Sequence, residues 1–231
     1  MFTKFENAIK RCFMNIRKLI IGIIVSSIPI ANPFLLMGYA MEASGIGRFK
    51  KKELPNWTNL PTMAMNGLIA IFIEFTYYIP AIASFLIAIA LLSASILIPF
   101  ASFFSLNPSE NKDILMSLSI ALETVPSSVM GMVFGFTFLG IIFFTIGNLI
   151  SPIAILSFAK SGKLIDAFKI GKVFKRLRNL EYILSWVILK LFSFAVFIIT
   201  SRIPLIGDGI HTFILLTISY TIYGEILRKG F

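Results

Sequence analysis

Five apolar stretches, separated by polar and basic segments, dominate the pattern of this sequence. They cover residues 19–43, 63–100, 126–158, 182–203 and 209–227. A helix of about 20 apolar residues is long enough to cross the roughly 30 Å hydrocarbon core of a bilayer. The last four stretches all reach this length. The pattern therefore predicts an all-α fold, a polytopic transmembrane helix bundle with about four full spans.

The first apolar stretch, 19–43, differs from the others because Pro29 and Pro33 interrupt its centre. Proline inside a helix removes a backbone hydrogen bond and breaks or kinks the helix. Basic clusters precede and follow this stretch, and a single crossing would place one of them outside. A re-entrant hairpin with the two prolines at its tip keeps both clusters inside, so we favour it over a kinked single span.

Two further segments combine apolar and cationic positions at helical spacing. In residues 1–18 the apolar face consists of Phe2, Phe5, Ile9, Phe13 and Ile16. Residues 159–180 repeat the pattern with seven basic side chains. Such helices can lie in the membrane interface, with their cations near anionic headgroups. We expect an interfacial helix at 1–18, with a solvated lead-in as the alternative, and a basic cytoplasmic amphipathic segment at 159–180.

The stretch 63–100 is too long for one upright span, since its helix would measure about 57 Å. It is either one tilted helix kinked at Pro80, which we favour, or two tightly joined spans. In the stretch 126–158, Gly131 and Gly135 form a GxxxG pair. Small residues at this spacing let two helices approach closely, so the pair predicts a helix-packing site.

The charge distribution fixes the expected orientation. The formal net charge of +10 suggests nucleic acid only in a soluble protein, and here the basic residues lie between apolar runs. With the hairpin, 18 of the 21 basic side chains fall on one side of the membrane. Basic residues accumulate on the cytoplasmic side. We therefore expect a multi-pass protein of the cell membrane with both termini cytoplasmic and no nucleic-acid partner.

Residues able to carry chemistry are scarce. The single histidine and the single cysteine, Cys12, exclude metal sites that need two imidazoles and exclude an internal disulfide. No Gly-x-Ser nucleophile and no phosphate-binding loop of the G-x-x-x-x-G-K-[ST] type occurs. We expect no catalytic residue, cofactor or metal. Glu74 and Lys190 fall within apolar stretches and are candidates for an intramembrane polar pair.

Three short motifs occur in a fixed order: Ile28-Pro29-Ile30 leading to Gly38-Tyr39-Ala40, then Glu53-Leu54-Pro55-Asn56-Trp57, then the run from Ala159 to Phe168. Tyr78-Ile79-Pro80 and the run from Lys175 to Asn179 accompany them. With these motifs the chain resembles the domain-of-unknown-function family 4013, a set of mostly archaeal multi-pass membrane proteins. The resemblance implies a membrane fold and no particular chemistry.

Two functions are compatible with this pattern. The first is an uncharacterised, non-enzymatic integral membrane protein that acts through lipids or a protein partner. Its basic cytoplasmic face would bind anionic headgroups or an acidic soluble protein, with Lys169, Lys172, Lys175, Arg176 and Arg178 as the central residues. The alternative is a transporter, permease or channel subunit that uses the proline-broken segment and the pair Glu74/Lys190.

Overall fold

The computed structural model describes residues 2–29, 32–46, 54–106, 125–204 and 206–228. These ranges form eight α-helices and a short 3-10 helix, Leu164–Phe168, and they contain no strand. The α-helices are α1 (Phe2–Phe13), α2 (Ile16–Ser26), α3 (Asn32–Ala43), α4 (Leu60–Leu106), α5 (Ser127–Ser161), α6 (Ile170–Leu177), α7 (Leu180–Thr200) and α8 (Gly207–Leu227). The predicted all-α fold is confirmed.

Four of the helices are long and apolar enough to cross a membrane. The qualifying segments are Leu60–Leu97 in α4, Ser127–Ser161, which is all of α5, and the whole of α7 and α8. Their outer faces carry large apolar side chains, among them Phe134 and Leu191, which are 69% and 67% exposed. Surfaces of this kind are stable in hydrocarbon and not in water. The helices match four of the apolar stretches in the sequence.

The chain forms two compact units, Met1–Tyr77 together with Asn148–Phe231, and Tyr78–Gly147. The first unit is built around α8, which packs against α1, α2, α3 and α7. Twelve residues of α8 are buried, including Phe213, Ile218 and Ile222. A helix buried on most sides is the expected centre of a bundle.

Helices α2 and α3 form a helical hairpin along α8. The hydroxyl of Ser26, at the end of α2, donates to the carbonyl of Gly209 at 2.7 Å. At the other end of α8, Arg228 donates to the carbonyl of Gly45, just after α3, at 3.2 Å. The amide of Asn32 closes the tip by donating to the carbonyl of Ser26. The two arms therefore run in opposite directions.

The two prolines of this region occupy different positions in the hairpin. Pro29 lies in the turn between the arms, and Pro33 is the second residue of α3. Proline suits the first turn of a helix, where the missing N–H has no intrahelical partner. Each arm, of 11 or 12 residues, is about 16–18 Å long, too short to cross a bilayer alone. Re-entry of the α2–α3 hairpin into a membrane stays a prediction.

Glycines bring α3 and α4 into direct backbone contact. A Cβ atom added to Gly38 would lie 1.9 Å from the carbonyl oxygen of Met63, and one added to Gly67 would lie 1.7 Å from that of Phe34. No side chain larger than hydrogen fits at these two positions without moving the backbone. The crossing of α3 and α4 therefore depends on both glycines.

The helix-packing role of Gly131 and Gly135 stays a prediction. Among the described residues, nothing lies within 4 Å of a Cβ atom built at either position. In the second unit the close contact falls instead at Gly140, where an added Cβ would lie 2.7 Å from the ring of Phe85. The spacing was typical of a packing motif, but the facing helix contacts α5 further along.

Helix α1 packs against the protein through Ala8 and Cys12, with Phe5 and Ile9 partly buried, whereas Phe13 and Ile16 of the predicted apolar face are exposed. Ala8 and Cys12 are fully buried, while Phe13 is 48% exposed. The ammonium of Lys4 forms an ion pair with Glu181 at 2.6 Å, and Arg11 donates to the carbonyl of Ala43 at 2.8 Å. Helix α1 is therefore fixed to the ends of α3 and α7.

Candidate anion-binding groove

A groove of about 460 Å³ lies where the ends of α5 and α8 meet α6 and the start of α7. Its polar lining consists of Lys160, Lys172, Lys175, Arg176 and Asn179. Ile226 and Leu227 supply an apolar side. Four cations and an amide donor in one cavity are the groups that bind phosphate and carboxylate oxygens. The groove therefore has the chemistry of an anion-binding site.

The turn after α5 sets the position of the cationic side chains. Gly162 adopts φ +70°, a left-handed conformation that glycine accepts without strain, and its N–H donates to the carbonyl of Phe158 at 2.8 Å. The hydroxyl of Ser161 accepts the N–H of Lys163 at 3.1 Å. Helix α5 ends here, so that the following 3-10 helix and α6 turn back toward α8.

Helix α6 is strongly amphipathic and presents its basic residues on the groove side. Val173 is fully buried, whereas Lys172 and Lys175 are exposed. Lys172 and Arg176 are four residues apart, so they lie on the same face of the helix. The guanidinium of Arg176 donates a hydrogen bond to the hydroxyl of Ser157 on α5. This contact fixes one cation of the groove in place.

The carboxylate of Asp166 acts on the charges of Lys172 and Arg176, two cations of the groove. Its oxygen accepts a hydrogen bond from Lys169 at 2.5 Å, and this bond, with one from Ser161, lowers the pKa of Asp166. Because the folded-state pKa is depressed, the contribution of Asp166 to stability is present above its ordinary value and is lost as the pH falls through the folded value. Asp166 therefore stays ionised at neutral pH.

Burial disfavours the charged form of Arg176. Removal from water lowers the pKa of its guanidinium, and the attraction of Asp166 partly opposes that effect. A guanidinium remains protonated at any physiological pH. The desolvation nevertheless means that a bound anion would stabilise a charge that is partly withdrawn from water.

The start of α7 adds a further favourable field. Asn179 is its N-cap, and its side-chain oxygen accepts the N–H of Glu181 at 3.0 Å. The N-terminus of a helix carries a partial positive charge from its aligned peptide dipoles. This end of a 21-residue helix lies at the groove through Asn179. Its field has the same sign as that of the surrounding lysines.

The predicted basic face is only partly gathered in this groove. Lys172, Lys175 and Arg176 line it, whereas Lys169 is paired with Asp166 and Arg178 is exposed outside the lining. Sequence reasoning missed Asn179, Ile226 and Leu227. Asn179 was detectable, because an asparagine before an apolar run is a typical N-cap. Ile226 and Leu227 gave no signal, because about 50 residues separate them from α6.

The predicted polar pair falls within one unit of the structure. Glu74 lies on α4 and Lys190 on α7, and the carboxylate of Glu74 is close enough to act on the charge of Lys190. The ammonium of Lys190 also lies 5.5 Å from the ring centroid of Trp186, a cation–π distance. The remaining predicted proline, Pro80, lies inside α4, which continues through it.

A second polar contact was not predicted. The hydroxyl of Ser193 on α7 and Nε2 of His211 on α8 are 3.0 Å apart, and the ring of Phe197 packs edge-on against the imidazole. No acidic residue completes this pair in any contact of the described residues. Among all the residues that the structure describes, no group of three or more His, Cys, Asp or Glu side chains could hold a metal ion.

The four long apolar helices define the class of the molecule: it is a polytopic α-helical membrane protein. A family model described as "Protein of unknown function (DUF4013)" matches residues 21–205, and the chain belongs to this family. The match runs from the middle of α2 through α7, includes the polar lining of the groove, and ends before α8. No curated protein and no solved structure matches the chain.

Proposed function

We propose that this protein is a non-enzymatic integral membrane protein that binds anionic lipid headgroups in the groove between α5, α6 and α8. The observation that carries the proposal is the convergence of four cations and an amide on one cavity that also has an apolar side. A phospholipid presents the complementary combination, an anionic phosphate next to a glycerol backbone and apolar acyl chains.

The charge and position of the groove favour a lipid ligand. Each lysine or arginine near an anionic membrane surface contributes about 1 kcal/mol of attraction. The groove lies at the end of spanning helices, where headgroups are found. Exposed apolar side chains border this region, including Ile170 and Phe174 on α6, which are 62% and 51% exposed. We infer that α6 lies in the interface with these two side chains directed toward the acyl chains.

The experiment that tests the proposal is native mass spectrometry of the full chain, released from detergent and titrated with lipids. We expect phosphatidylglycerol to bind more tightly than phosphatidylcholine. The double variant Lys172→Gln/Lys175→Gln should lose roughly 30-fold in affinity for the anionic lipid, as removal of two cations at about 1 kcal/mol each predicts. The matched control, Lys163→Gln/Arg178→Gln, removes the same charge outside the groove.

The two double variants separate a site from a general charge effect. If both lose the same affinity, the protein attracts anionic lipids only through its total charge, and the groove is not a binding site. If neither changes the affinity, the proposal is wrong. Both variants change exposed side chains, so we expect them to fold as the wild type does.

We further propose that the groove faces the cytoplasm in the cell membrane, with both termini on the same side. The support is the distribution of basic residues, of which only Lys112 and Arg202 would lie outside. In a Cys12→Ala background, cysteines at the exposed positions Asn7, Lys163 and Arg202 test this topology. Reagent added from outside should label only the third position. External labelling of the first or second would contradict the orientation.

A second candidate function, a permease or channel subunit, is supported by the electrostatic proximity of Glu74 and Lys190 within apolar helices. Proteoliposomes containing the wild type should then show a solute or ion flux that Glu74→Gln and Lys190→Met each reduce. Flux that is absent, or that neither change affects, would exclude this pair from transport.

A further inference from the structure

We propose that an apolar cleft between α3 and α4 binds one acyl chain of a membrane lipid. The cleft has a volume of about 590 Å³, within the range of roughly 300–1,000 Å³ that is typical of small-molecule sites. It is lined by Phe34 and Leu35 on α3 and by five residues of α4 between Leu60 and Leu68. The cleft shares no residue with the anion-binding groove, and the inference does not rest on the proposed function.

The lining of the cleft determines the chemical class of its ligand. Among the described residues, all those that line the cleft are apolar, so their side chains offer a ligand neither charge nor hydrogen bond. Water or a polar molecule that entered would lose hydrogen bonds without replacement. A hydrocarbon chain loses none, and it supplies the dispersion contacts that the walls of an empty cleft lack.

The close crossing of α3 and α4 fixes the shape of the cleft. The carbonyl oxygens of Met63 and Phe34 lie against Gly38 and Gly67, so the two helices cannot approach each other further. Phe34 belongs both to this backbone contact and to the wall of the cleft. The walls are therefore held in place by backbone before a ligand binds, and a ligand has little ordering of the protein to offset.

The size of the cleft favours a single hydrocarbon chain over a second protein. Seven residues line it, whereas a stable protein interface has about 20–30 residues on each side. The α4 wall extends from Leu60 to Leu68, a distance of about 12 Å along the helix. A cleft of this length fits the upper part of one extended acyl chain.

The surroundings of the cleft indicate a membrane lipid as the source of the chain. Its α4 wall belongs to the apolar segment Leu60–Leu97, which is long enough to cross a membrane. Met65 and Leu68 are 58% and 49% exposed, so the cleft is open to the medium around that helix. Trp57, three residues before the segment, is partly buried and has the amphipathic ring that suits the level of the headgroups. The polar end of the lipid would then lie at the start of α4.

The test uses the full chain in detergent with one equivalent of a phosphatidylcholine that carries a diazirine in one acyl chain. This lipid has no net charge, which separates the test from the proposed function. After photolysis, mass spectrometry identifies the labelled residues. Per residue, we expect labelling between Leu60 and Leu68 to exceed that of Leu191 and Phe194, on the exposed face of α7, by roughly fivefold or more, because the cleft contacts the chain from two sides.

A pair of matched variants tests whether the chain occupies the cleft. Ala64→Phe places an aromatic ring in the cleft and should lower its labelling to the level of the α7 face. The control, Ala195→Phe, adds the same ring at an exposed position of α7 and should leave the labelling of the cleft unchanged.

The wild type alone can refute the inference, so the test does not depend on the folding of Ala64→Phe. Equal labelling of the cleft and of the α7 face would mean that the lipid only coats apolar surfaces, and an unlabelled cleft would mean that no lipid chain enters it. Either result would overturn the inference, as would labelling that persists in Ala64→Phe. Full displacement by one equivalent of a free fatty acid would overturn the membrane lipid as the source of the chain.

Discussion

The crossing of α3 and α4 provides a sharp test of the fold, because Gly67→Ala adds a single methyl group at a point of backbone contact. The added Cβ would lie 1.7 Å from the carbonyl oxygen of Phe34 and 3.0 Å from the backbone nitrogen of Gly38. Real Cβ atoms essentially never approach a neighbour closer than 3.0 Å. The two helices must therefore separate by about 1.3 Å, since neither atom belongs to a side chain that could rotate away.

The energetic cost follows from this separation. Overpacking in a protein interior typically costs about 1–3 kcal/mol, and here the displaced atoms are backbone, so we expect about 3 kcal/mol. The loss includes dispersion contacts along both helices, which decline steeply over a gap of this size. For a chain of this length, 1 kcal/mol corresponds to about 2–4 °C in Tm. Gly67→Ala should therefore lower Tm by about 6–12 °C.

The assay is thermal unfolding of the full chain in detergent, followed by tryptophan fluorescence. The matched control is Gly131→Ala, which adds the same methyl group where nothing lies within 4 Å. Its Tm should stay within about 1–2 °C of the wild type, because alanine also improves helix propensity slightly. If Gly67→Ala were as stable as Gly131→Ala, the close crossing of α3 and α4 would be wrong.

Three other substitutions or reactions test separate parts of the structure. Asp166→Asn removes a carboxylate that acts on Lys172 and Arg176 and should raise affinity for phosphatidylglycerol about twofold to fivefold by native mass spectrometry. An unchanged or lower affinity would contradict this electrostatic effect. Burial raises the pKa of the Cys12 thiol to about 12, so alkylation by N-ethylmaleimide at pH 8 should be at least about 100-fold slower than that of an exposed thiol; rapid labelling of the folded chain would mean that α1 does not pack on α8. Arg11→Gln removes a charged hydrogen bond to the carbonyl of Ala43 and should cost about 1.5–3 kcal/mol in detergent-based unfolding, against about 0.5 kcal/mol or less for the exposed Arg17→Gln; equal effects would refute this role of Arg11.

The helical architecture could be predicted from the sequence because hydrocarbon imposes a simple requirement. A spanning segment must be helical, apolar and about 20 residues long, and these properties can be recognised without knowing any tertiary contact. The predicted stretches 182–203 and 209–227 lie within three residues of α7 and α8 at each end. The longer stretches also contain single continuous helices, although α4 begins earlier and ends later than 63–100.

Helix packing could not be predicted in the same way. A GxxxG pair indicates that a helix is able to approach a neighbour closely, but it does not identify the neighbour. Gly131 and Gly135 have the motif and no contact among the described residues, whereas Gly38 and Gly67 belong to no such pair and form the closest approach. The position of a facing carbonyl decides which glycine matters, and that position is a property of the tertiary structure.

The groove could be predicted from the sequence only in part. The basic residues of α6 were predicted because they recur on one face of an amphipathic helix, and this periodicity is local. Asn179 was not predicted, although its local N-cap signal could have revealed it. Ile226 and Leu227 reach the groove only because α8 returns along α7 and ends beside α6. The apolar side of the site, on which the choice of a lipid rests, is therefore a consequence of the fold.

The most direct test of lipid binding is a cryo-electron microscopy structure of the full chain in nanodiscs that contain phosphatidate. We predict headgroup density in the groove, within hydrogen-bonding distance of Lys172, Lys175 or Arg176, with acyl-chain density beside Ile226 and Leu227. The same density should be absent from the Lys172→Gln/Lys175→Gln variant. An empty groove in the wild type, or lipid density that persists unchanged in the variant, would contradict the proposed function.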